Sequence, residues 1–308
     1  MSALAGALVV PNALTIDLED WYHPELVRPQ LGPADPEPQA GQSVPQLLEL
    51  LRSRGVKATF FVVGEVAQRD PDLVRRIAAE GHEVACHGMS HRPLWKMTPD
   101  EFRQELAEFG RLLADILPGQ CIRGYRAPTF SLDNSTRWAL TVLAEMGYDY
   151  DSSVFPLRTP LYGVAGGPLE PYYPSPDNVA VSAATPVVTD HGASLRSGGG
   201  RPSSTVLEFP MSVWTWAGLR VPVSGGVYLR ALPFAMITWC LRQINKQRPF
   251  VVYLHPWEAY RQTPRLPLPL LSRLATYYNS GAVLPRLAAL LDEFSFAPMG
   301  TVVSELEA

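Results

Sequence analysis

The sequence predicts an α/β fold built on a parallel sheet or barrel. Segments typical of strands alternate with segments typical of helices through the first ~155 residues, the pattern of repeated strand–helix units. One strand segment, residues 56–63, is apolar almost throughout, as expected for a strand buried on both faces of a sheet. Because 308 residues exceed an ordinary single domain, we expect one large domain with an extension.

Local signals support the individual elements. Asp70-Pro71 combines a helix N-cap with proline at the first helical position, and Thr98 with Glu101 forms a capping box. Ser43 is the expected N-cap of an earlier helix that Gly55 ends. The predicted strands are 13–18, 56–63, 82–86, 122–125, 148–152, 206–209 and 250–254, with a closing strand at 301–303. Further helices are predicted at 134–146, 233–245 and twice in the last fifty residues.

The composition excludes several classes of protein. Hydrophobic residues make up 46% of the chain and charged residues 18%, which is too apolar for a disordered protein. The net charge of −4, with dispersed Lys and Arg, argues against a nucleic-acid partner. The apolar run at 3–10 lacks preceding basic residues and is too short to span a bilayer. We therefore expect a cytoplasmic protein without a transmembrane segment, and three widely spaced cysteines agree with a reducing compartment.

Two groups of side chains at predicted strand ends are candidates for a metal site. His87 and His91 stand four positions apart, and Asp17, Glu19 and Asp20 follow the first strand. A carboxylate with two imidazoles makes a suitable open site for a divalent ion. Each group alone has an ordinary explanation, because such residues also cap helices or lie on the surface.

Further polar residues lie at comparable positions. His255 follows the apolar strand at 250–254, and Arg126 stands between a strand and a proline-stiffened turn, which suggests a guanidinium aimed at a carboxylate. Asp151 could simply cap a helix. Trp21, Tyr22 and Trp257 adjoin these segments and could stack on sugar rings, although core packing is the more common role of such side chains.

These segments, in this order, resemble the five motifs of the polysaccharide deacetylase (NodB-homology) family. They are TIDLED, HGMSH, GYRAPTF, YDYDSS and YLHP, which together span about residues 13–155 and 250–257. The opening D-x-E-D-W is most similar to a subfamily encoded near exopolysaccharide and exosortase loci. The resemblance implies a deformed (β/α)7 barrel over residues 1–260, with an irregular insertion at about 156–205, and a C-terminal helical extension over 261–308.

The resemblance also implies roles for single residues. Asp17 would be the general base, His255 the general acid, and Arg126 would orient Asp17. His87, His91 and either Glu19 or Asp20 would bind the metal, with zinc as the default and cobalt, nickel or iron as alternatives. Gly88 replaces the usual Ser or Thr, which we expect to loosen hydrogen bonding near the metal. Asp151 would belong to the catalytic set, and the implied substrate contacts are Trp21, Tyr22, Pro128, Phe130 and Trp257.

The implied activity is metal-dependent removal of N-acetyl groups from an N-acetylhexosamine polysaccharide or its precursor, in exopolysaccharide biosynthesis. One alternative is an allantoinase-like hydrolase of other C–N bonds, whose members often lack a metal ligand that this chain retains. A second is a non-catalytic carbohydrate-binding relative, which would be expected to lack Asp17 or His255. The sequence favours deacetylation.

Overall fold

A computed structural model describes residues 10–33, 35–183 and 206–308. Most of the apolar run at 3–10, and residues 184–205 of the predicted irregular insertion, lie outside the described residues. Among the helices that are described, none is long and apolar enough to cross a membrane. The division into a barrel over 1–260 and an extension over 261–308 stays a prediction.

The strands found in the described ranges agree with most of the predicted ones. They are β1 (Asn12–Leu18), β2 (Thr59–Val62), β3 (Glu83–Cys86), β4 (Gly124–Tyr125), β5 (Tyr150–Asp151), β6 (Leu207–Glu208), β7 (Val213–Trp216), β8 (Leu219–Pro222), β9 (Val251–Leu254) and β10 (Phe296–Ala297). Strands β7 and β8 form a separate antiparallel hairpin that the sequence did not predict. The remaining strands form one parallel sheet.

The predicted α/β fold, a deformed (β/α)7 barrel, is confirmed, and its parallel sheet curls into a half-barrel. Its strand order is β9-β1-β2-β3-β4-β5-β6, and β10 pairs with the beginning of β1. The register aligns Leu18 with Val62, Val62 with Cys86, and Cys86 with Tyr125. The carboxyl ends of neighbouring strands are therefore level, so residues that follow different strands meet at one edge of the sheet.

Helices cover the sheet and bury its apolar strands. They are α1 (Ala40–Ser53), α2 (Gly64–Arg69), α3 (Pro71–Ala79), α4 (Pro99–Ile116), α5 (Trp138–Glu145), α6 (Gly226–Ala231), α7 (Phe234–Asn245), α8 (Pro256–Ala259), α9 (Leu270–Tyr277), α10 (Val283–Glu293) and α11 (Met299–Glu307). Asp70 caps α3 and the Thr98–Glu101 capping box opens α4, as predicted. Side chains from β1, β2 and most of these helices form a continuous apolar core, whereas Met299, Val302 and Val303 of α11 belong to a second cluster.

The predicted start of the first helix is wrong. Helix α1 begins at Ala40, and Ser43 lies inside it. The cap is supplied from a distance, because Asp20 Oδ1 accepts hydrogen bonds from the amides of Gln39 (2.5 Å) and Ala40 (3.0 Å). A carboxylate at a helix N-terminus satisfies amides that have no partner within the helix.

The predicted closing strand at 301–303 is also wrong, since these residues lie in α11. Their β-branched side chains favour a strand, but the start of the helix is fixed by contacts with the sheet. The amide of Met299 donates to Thr59 Oγ1 (2.7 Å) and that of Gly300 to Glu83 Oε2 (2.9 Å). These side chains satisfy the first amides of the helix, and tertiary contacts outweigh local propensity.

The backbone of Gly225, directly before α6, pairs with β9. Gly225 has φ +148°, forms a parallel bridge with Tyr253, and a Cβ there would lie 1.8 Å from the Tyr253 carbonyl oxygen. We expect Gly225→Ala to lower the free energy of unfolding by about 3 kcal/mol or more through strain and overlap. Urea unfolding measures this, with Gly218→Ala as control.

Gly218→Ala separates the cost of backbone strain from the cost of steric overlap. It has φ +80°, and its added Cβ would have no neighbour within 4 Å. Its replacement should therefore cost only about 1–2 kcal/mol. An equal loss in the two variants would show that close packing on β9 is unimportant.

Candidate metal centre and active site

Side chains from the level strand ends converge on a cavity of about 250 Å³. Part of its polar lining comes from residues that the sequence singled out, since Asp17 lies in β1, Glu19 follows β1, His87 follows β3, and His255 follows β9. These lining residues are Asp17, Glu19, His87, His91, His255 and Trp257, and Glu25, Arg230 and Glu258 also line the cavity. The sheet register thus brings three separate parts of the sequence to one place.

Glu19, His87 and His91 form a buried group whose ligand atoms all lie within 4.8 Å of one another. His87 Nδ1 lies 2.7 Å from the Arg126 carbonyl oxygen, which leaves Nε2 free to bind an ion. Burial lowers the pKa of His87 to about 4, so its imidazole is neutral, as a metal ligand must be. This set of donors is consistent with a divalent metal site.

The loop between the two histidines has an unusual backbone. Gly88 has φ +75° and His91 φ +53°, so the chain turns sharply instead of continuing as a helix. Glu105 of α4 accepts hydrogen bonds from the Met89 amide (3.2 Å) and from Ser90 Oγ (2.6 Å). We expected Gly88 to loosen hydrogen bonding near the metal. Glu105 holds the loop to α4 through these two hydrogen bonds.

The structure places Glu19, and not Asp20, beside the histidines. Glu19 Oε2 lies 2.5 Å from His91 Nε2, and Oε1 accepts from Trp257 Nε1 at 3.0 Å. Burial opposes ionisation, but His91 and His255 outweigh it and hold the pKa of Glu19 well below its usual value. Asp20 instead caps α1, and burial raises its pKa.

Because Glu19 and Asp20 have different surroundings, we expect replacement by the corresponding side-chain amide to have different effects on metal content. Glu19→Gln should lose bound metal, because one anionic ligand disappears. Asp20→Asn should keep its metal and lose about 1 kcal/mol of stability, because the cap of α1 weakens. Metal content of the purified variants, together with urea unfolding, measures both effects. If Asp20→Asn lost its metal while Glu19→Gln kept it, Asp20 and not Glu19 would be the carboxylate ligand.

Asp17 is fixed by a buried arginine. Arg126 Nη1 donates to Asp17 Oδ1 at 2.6 Å and to Thr15 Oγ1 at 2.8 Å, while Nε and Nη2 donate to the carbonyl and hydroxyl of Ser152 at 3.0 Å each. The guanidinium also lies over the ring of Phe61, 4.2 Å from its centroid. Arg126 therefore orients Asp17, whose other oxygen lies 3.8 Å from His255 Nε2.

His255 is held by a glutamate that sequence analysis missed. Glu258 Oε2 lies 2.9 Å from His255 Nδ1 and accepts from its amide at 3.0 Å. Oε1 accepts from Arg230 Nε (2.9 Å) and lies 2.8 Å from Arg230 Nη2. A histidine followed by proline and, at the third helical position, by glutamate is a capping-box pattern, so a signal was present.

The charges around His255 favour its protonated form. Burial disfavours the cation, but the carboxylates of Glu19, Glu258 and Asp17 outweigh this effect and raise the pKa of His255 to about 9. Burial likewise works against the charged form of Glu258, yet Arg230 and His255 lower its pKa to about 2. The protonated form of His255 can therefore donate the proton on Nε2, the ring nitrogen that faces Asp17.

Asp151, the candidate from the fourth motif, does not line the cavity. It pairs in register with Glu208 on β6, and Ser153 Oγ donates to its Oδ1 at 2.5 Å. Burial raises the pKa of both carboxyl groups, which favours a pair that retains at least one proton. Asp151 is therefore no helix cap, and its catalytic role stays a prediction.

The predicted substrate contacts fall into two groups. Phe130 and Trp257 line the cavity, and the Trp257 ring is stacked on His255 with centroids 5.2 Å apart. Trp21 and Tyr22 are buried outside this lining, where Trp21 Nε1 donates to the Glu37 carbonyl (3.0 Å). These two rings therefore pack the loop before α1.

Pro128 lies at the start of a strained turn beside the cavity. The next two residues, Thr129 and Phe130, have φ +60° and +48° and line the cavity, whereas Pro128 does not. Left-handed backbone in β-branched and aromatic residues is costly, and such strain is concentrated at functional sites. The proline helps to fix this turn.

Two tyrosines from the second half of the chain also line the cavity. These are Tyr162 and Tyr228, whose rings pack against Phe155 with centroids 5.3 and 5.9 Å apart. Sequence analysis did not single out either tyrosine, because residue 162 lies in the segment predicted to be irregular and residue 228 is not at a strand end. Their position depends on tertiary packing.

Fold and site together define an α/β protein with a buried carboxylate–imidazole group, consistent with a divalent metal site, at the carboxyl edge of a curled parallel sheet. Comparison with known families then identifies it further. Residues 32–150 match the model described as polysaccharide deacetylase, and residues 152–304 match the domain of unknown function DUF3473. The chain therefore carries a polysaccharide deacetylase segment over residues 32–150, followed by a DUF3473 region.

Relatives with assigned names support the same family. The chain is 38% identical over 96 residues to a peptidoglycan-N-acetylglucosamine deacetylase of Bacillus cereus, covering 31% of this chain and 34% of that protein. It is 40% identical over 84 residues to a chitooligosaccharide deacetylase of Bradyrhizobium sp., covering 27% and 38%. The chain thus aligns with little more than a third of the length of either relative.

Solved structures share the fold over nearly the whole chain. A structure from Mycobacterium smegmatis, assigned to the polysaccharide deacetylases, superposes with a TM-score of 0.57 at 20% identity, covering 99% of this chain and 93% of that one. The allantoinase Puue superposes with a TM-score of 0.54 at 16% identity, covering 95% and 88%. At these identities the likeness concerns the fold alone.

Proposed function

We propose that the protein is a metal-dependent N-deacetylase acting on an N-acetylhexosamine-containing glycan or its precursor. The observation that carries the proposal is the cavity in which Asp17 and His255 stand together beside the Glu19, His87 and His91 group. A base and an acid next to a Lewis-acid site are the groups that amide hydrolysis requires. The names of the relatives supply the glycan class.

Each charged residue has a place in the proposed reaction. Glu19, His87 and His91 would hold a divalent ion, which would supply Lewis-acid chemistry toward an amide carbonyl and a water molecule. Asp17 takes a proton as the water oxygen attacks the carbonyl carbon. His255 donates a proton to the sugar nitrogen as the C–N bond breaks, giving acetate and a free amine. Arg126 keeps Asp17 aimed at the cavity.

The metal and the pathway are finer parts of the same proposal. Zinc is our choice because imidazole ligands suit it, although cobalt, nickel and iron accept the same donors. The opening D-x-E-D-W motif of residues 17–21 supports a role in exopolysaccharide biosynthesis, with a cytoplasmic precursor as substrate. Metal analysis of the purified protein tests the first point.

Acetate release from N-acetylglucosamine oligomers is the direct test of the proposed function. We expect release that a chelator abolishes and that added divalent metal restores. Allantoin serves as the control substrate, because hydrolysis of allantoin without acetate release would support the allantoinase-like alternative. Oligomer binding without turnover by the metal-loaded protein would support a non-catalytic carbohydrate-binding protein.

Glu258 provides a pH-dependent prediction. Because the pKa of His255 is raised to about 9, its proton is available below that pH and is lost as the pH rises through it. Glu258→Gln removes a negative charge that raises the pKa of His255, so the alkaline fall in kcat/KM should move to lower pH. A pH–rate profile of both proteins measures this. An unshifted alkaline limb would rule out control of His255 by Glu258.

A further inference from the structure

The surface around α9 carries an exposed apolar face. Leu270, Leu271 and Leu274 are 60%, 80% and 45% exposed, and Tyr278 at the end of the helix is 49% exposed. Their spacing places all four within about a third of the helix circumference, because successive residues are rotated by about 100°. Isolated exposed leucines are common on proteins, but a shared helix face marks an interaction surface.

The same surface is basic in a chain that is acidic overall. Residues 259–291 contain four arginines and no Asp or Glu, although the whole chain has a net charge of −4. Arg265 and Arg273 are exposed. The loop that carries the exposed Asp35 and Glu37 approaches Gln262 through Gln39, so these carboxylates lie nearer to Arg261, and the basic residues of the surface are Arg265 and Arg273.

This surface is continuous with the mouth of the cavity. Ala275, one turn after Leu271 on α9, lines the cavity. Leu26 and Leu161 also line it and are 36% and 40% exposed. A ligand lying on the leucine face would therefore lie beside the entrance to the candidate active site.

We propose that the α9 surface (Leu270, Leu271, Leu274, Tyr278, Arg265 and Arg273) docks on an anionic phospholipid bilayer. Leucines on one face, flanked by arginines without nearby carboxylates in the segment, match the composition of helices that lie in a membrane interface. A second copy of the chain fits less well, since a two-fold contact would place the arginines of the two copies together.

Docking would bring the cavity entrance close to the lipid headgroups. Together with the proposed function, docking would make the substrate sugars those presented at a membrane surface, such as a glycan attached to a lipid. The docking itself goes beyond the proposed function and does not depend on it, because it concerns the surface outside the catalytic residues. Its test therefore needs no turnover.

Vesicle cosedimentation of the full chain tests the proposal. The probes are vesicles of phosphatidylcholine alone and of phosphatidylcholine with phosphatidylglycerol. We expect binding to the anionic vesicles, weak binding to the neutral ones, and weakening by salt. Leu271→Gln with Leu274→Gln should reduce binding to anionic vesicles by about tenfold or more. Arg273→Glu should reduce it by about fivefold or more.

Leu219→Gln is the matched control. Leu219 is 61% exposed but lies on the β7–β8 hairpin, so its replacement should leave vesicle binding unchanged. Circular dichroism checks that all variants fold. Absence of vesicle binding by the natural sequence, or equal losses in the α9 and Leu219 variants, would overturn the proposal. So would self-association, measured by sedimentation, that the α9 variant abolishes while vesicle binding persists.

Acetate release from a soluble oligomer distinguishes the two proposals. The α9 variants should retain it, because Leu271, Leu274 and Arg273 do not line the cavity. Vesicle binding without acetate release would leave the docking surface supported and contradict only the proposed function. Acetate release without vesicle binding would support the proposed function and contradict the docking surface.

Discussion

His91→Ala is expected to yield a folded protein that lacks stoichiometric metal and has lost at least about a hundredfold in acetate release. Loss of partners outside the ligand set of a metal already costs about 10–100-fold in affinity or activity, so loss of a ligand should cost no less. His91 Nε2 lies 2.5 Å from Glu19 Oε2, and removal of the imidazole leaves that carboxylate without this partner. Metal analysis and acetate release after identical purification measure the effect.

His82→Ala is the matched control for His91→Ala. His82 is also a buried histidine, but its Nδ1 accepts a hydrogen bond from the Ala58 amide at 3.1 Å, at the opposite end of β3 from His87. This variant should lose stability while it keeps its metal. If His91→Ala retained a full equivalent of metal and full activity, Glu19, His87 and His91 would not be the metal centre.

The sequence predicted the location of the site better than its detailed connections. Residues 56–63 and 250–254 predicted buried parallel strands, and the carboxyl ends of such strands share one edge of a sheet. That rule alone brings Asp17, His87 and His255 together, and the structure places all three in one cavity. Periodicity and strand ends therefore carry information about position.

Partners in other parts of the chain could not be predicted in this way. Asp20 and Glu19 are adjacent in the sequence, and only the position of α1 shows that one caps a helix while the other faces the histidines. Asp151 likewise pairs with Glu208, a residue that follows the segment at 156–205. Such choices depend on tertiary packing, which local patterns do not determine.

The C-terminal half also contributes to the site in a way that its sequence did not indicate. Arg230 of α6 is almost fully buried and joins Glu258 to the carbonyls of Ala275 and Tyr278, both at 2.6 Å. One side chain thereby connects α6, α8 and the end of α9 to His255. A buried ion pair of this kind is stable only when each donor of the guanidinium has an acceptor. No sequence pattern predicts these contacts.

The second large effect is expected for Asp17→Asn, which should lower kcat by about 10²–10⁴ while metal content is retained. The amide has nearly the same shape as the carboxylate but cannot accept the proton of the attacking water. The Arg126 guanidinium keeps its bonds to Thr15 and Ser152, so the local geometry should persist. Loss of metal together with activity would mean that Asp17 is a ligand and not the base.

Asp151→Asn completes this experiment as a matched control. Asp151 is as buried as Asp17 but faces Glu208, and its raised pKa already favours the protonated form. An amide in its place should therefore change acetate release little, unless the catalytic role that the family resemblance implies for Asp151 holds. If Asp151→Asn lowered kcat as far as Asp17→Asn, the fourth-motif carboxyl would act on the reaction through Arg126, and proton transfer could not be assigned to Asp17 alone.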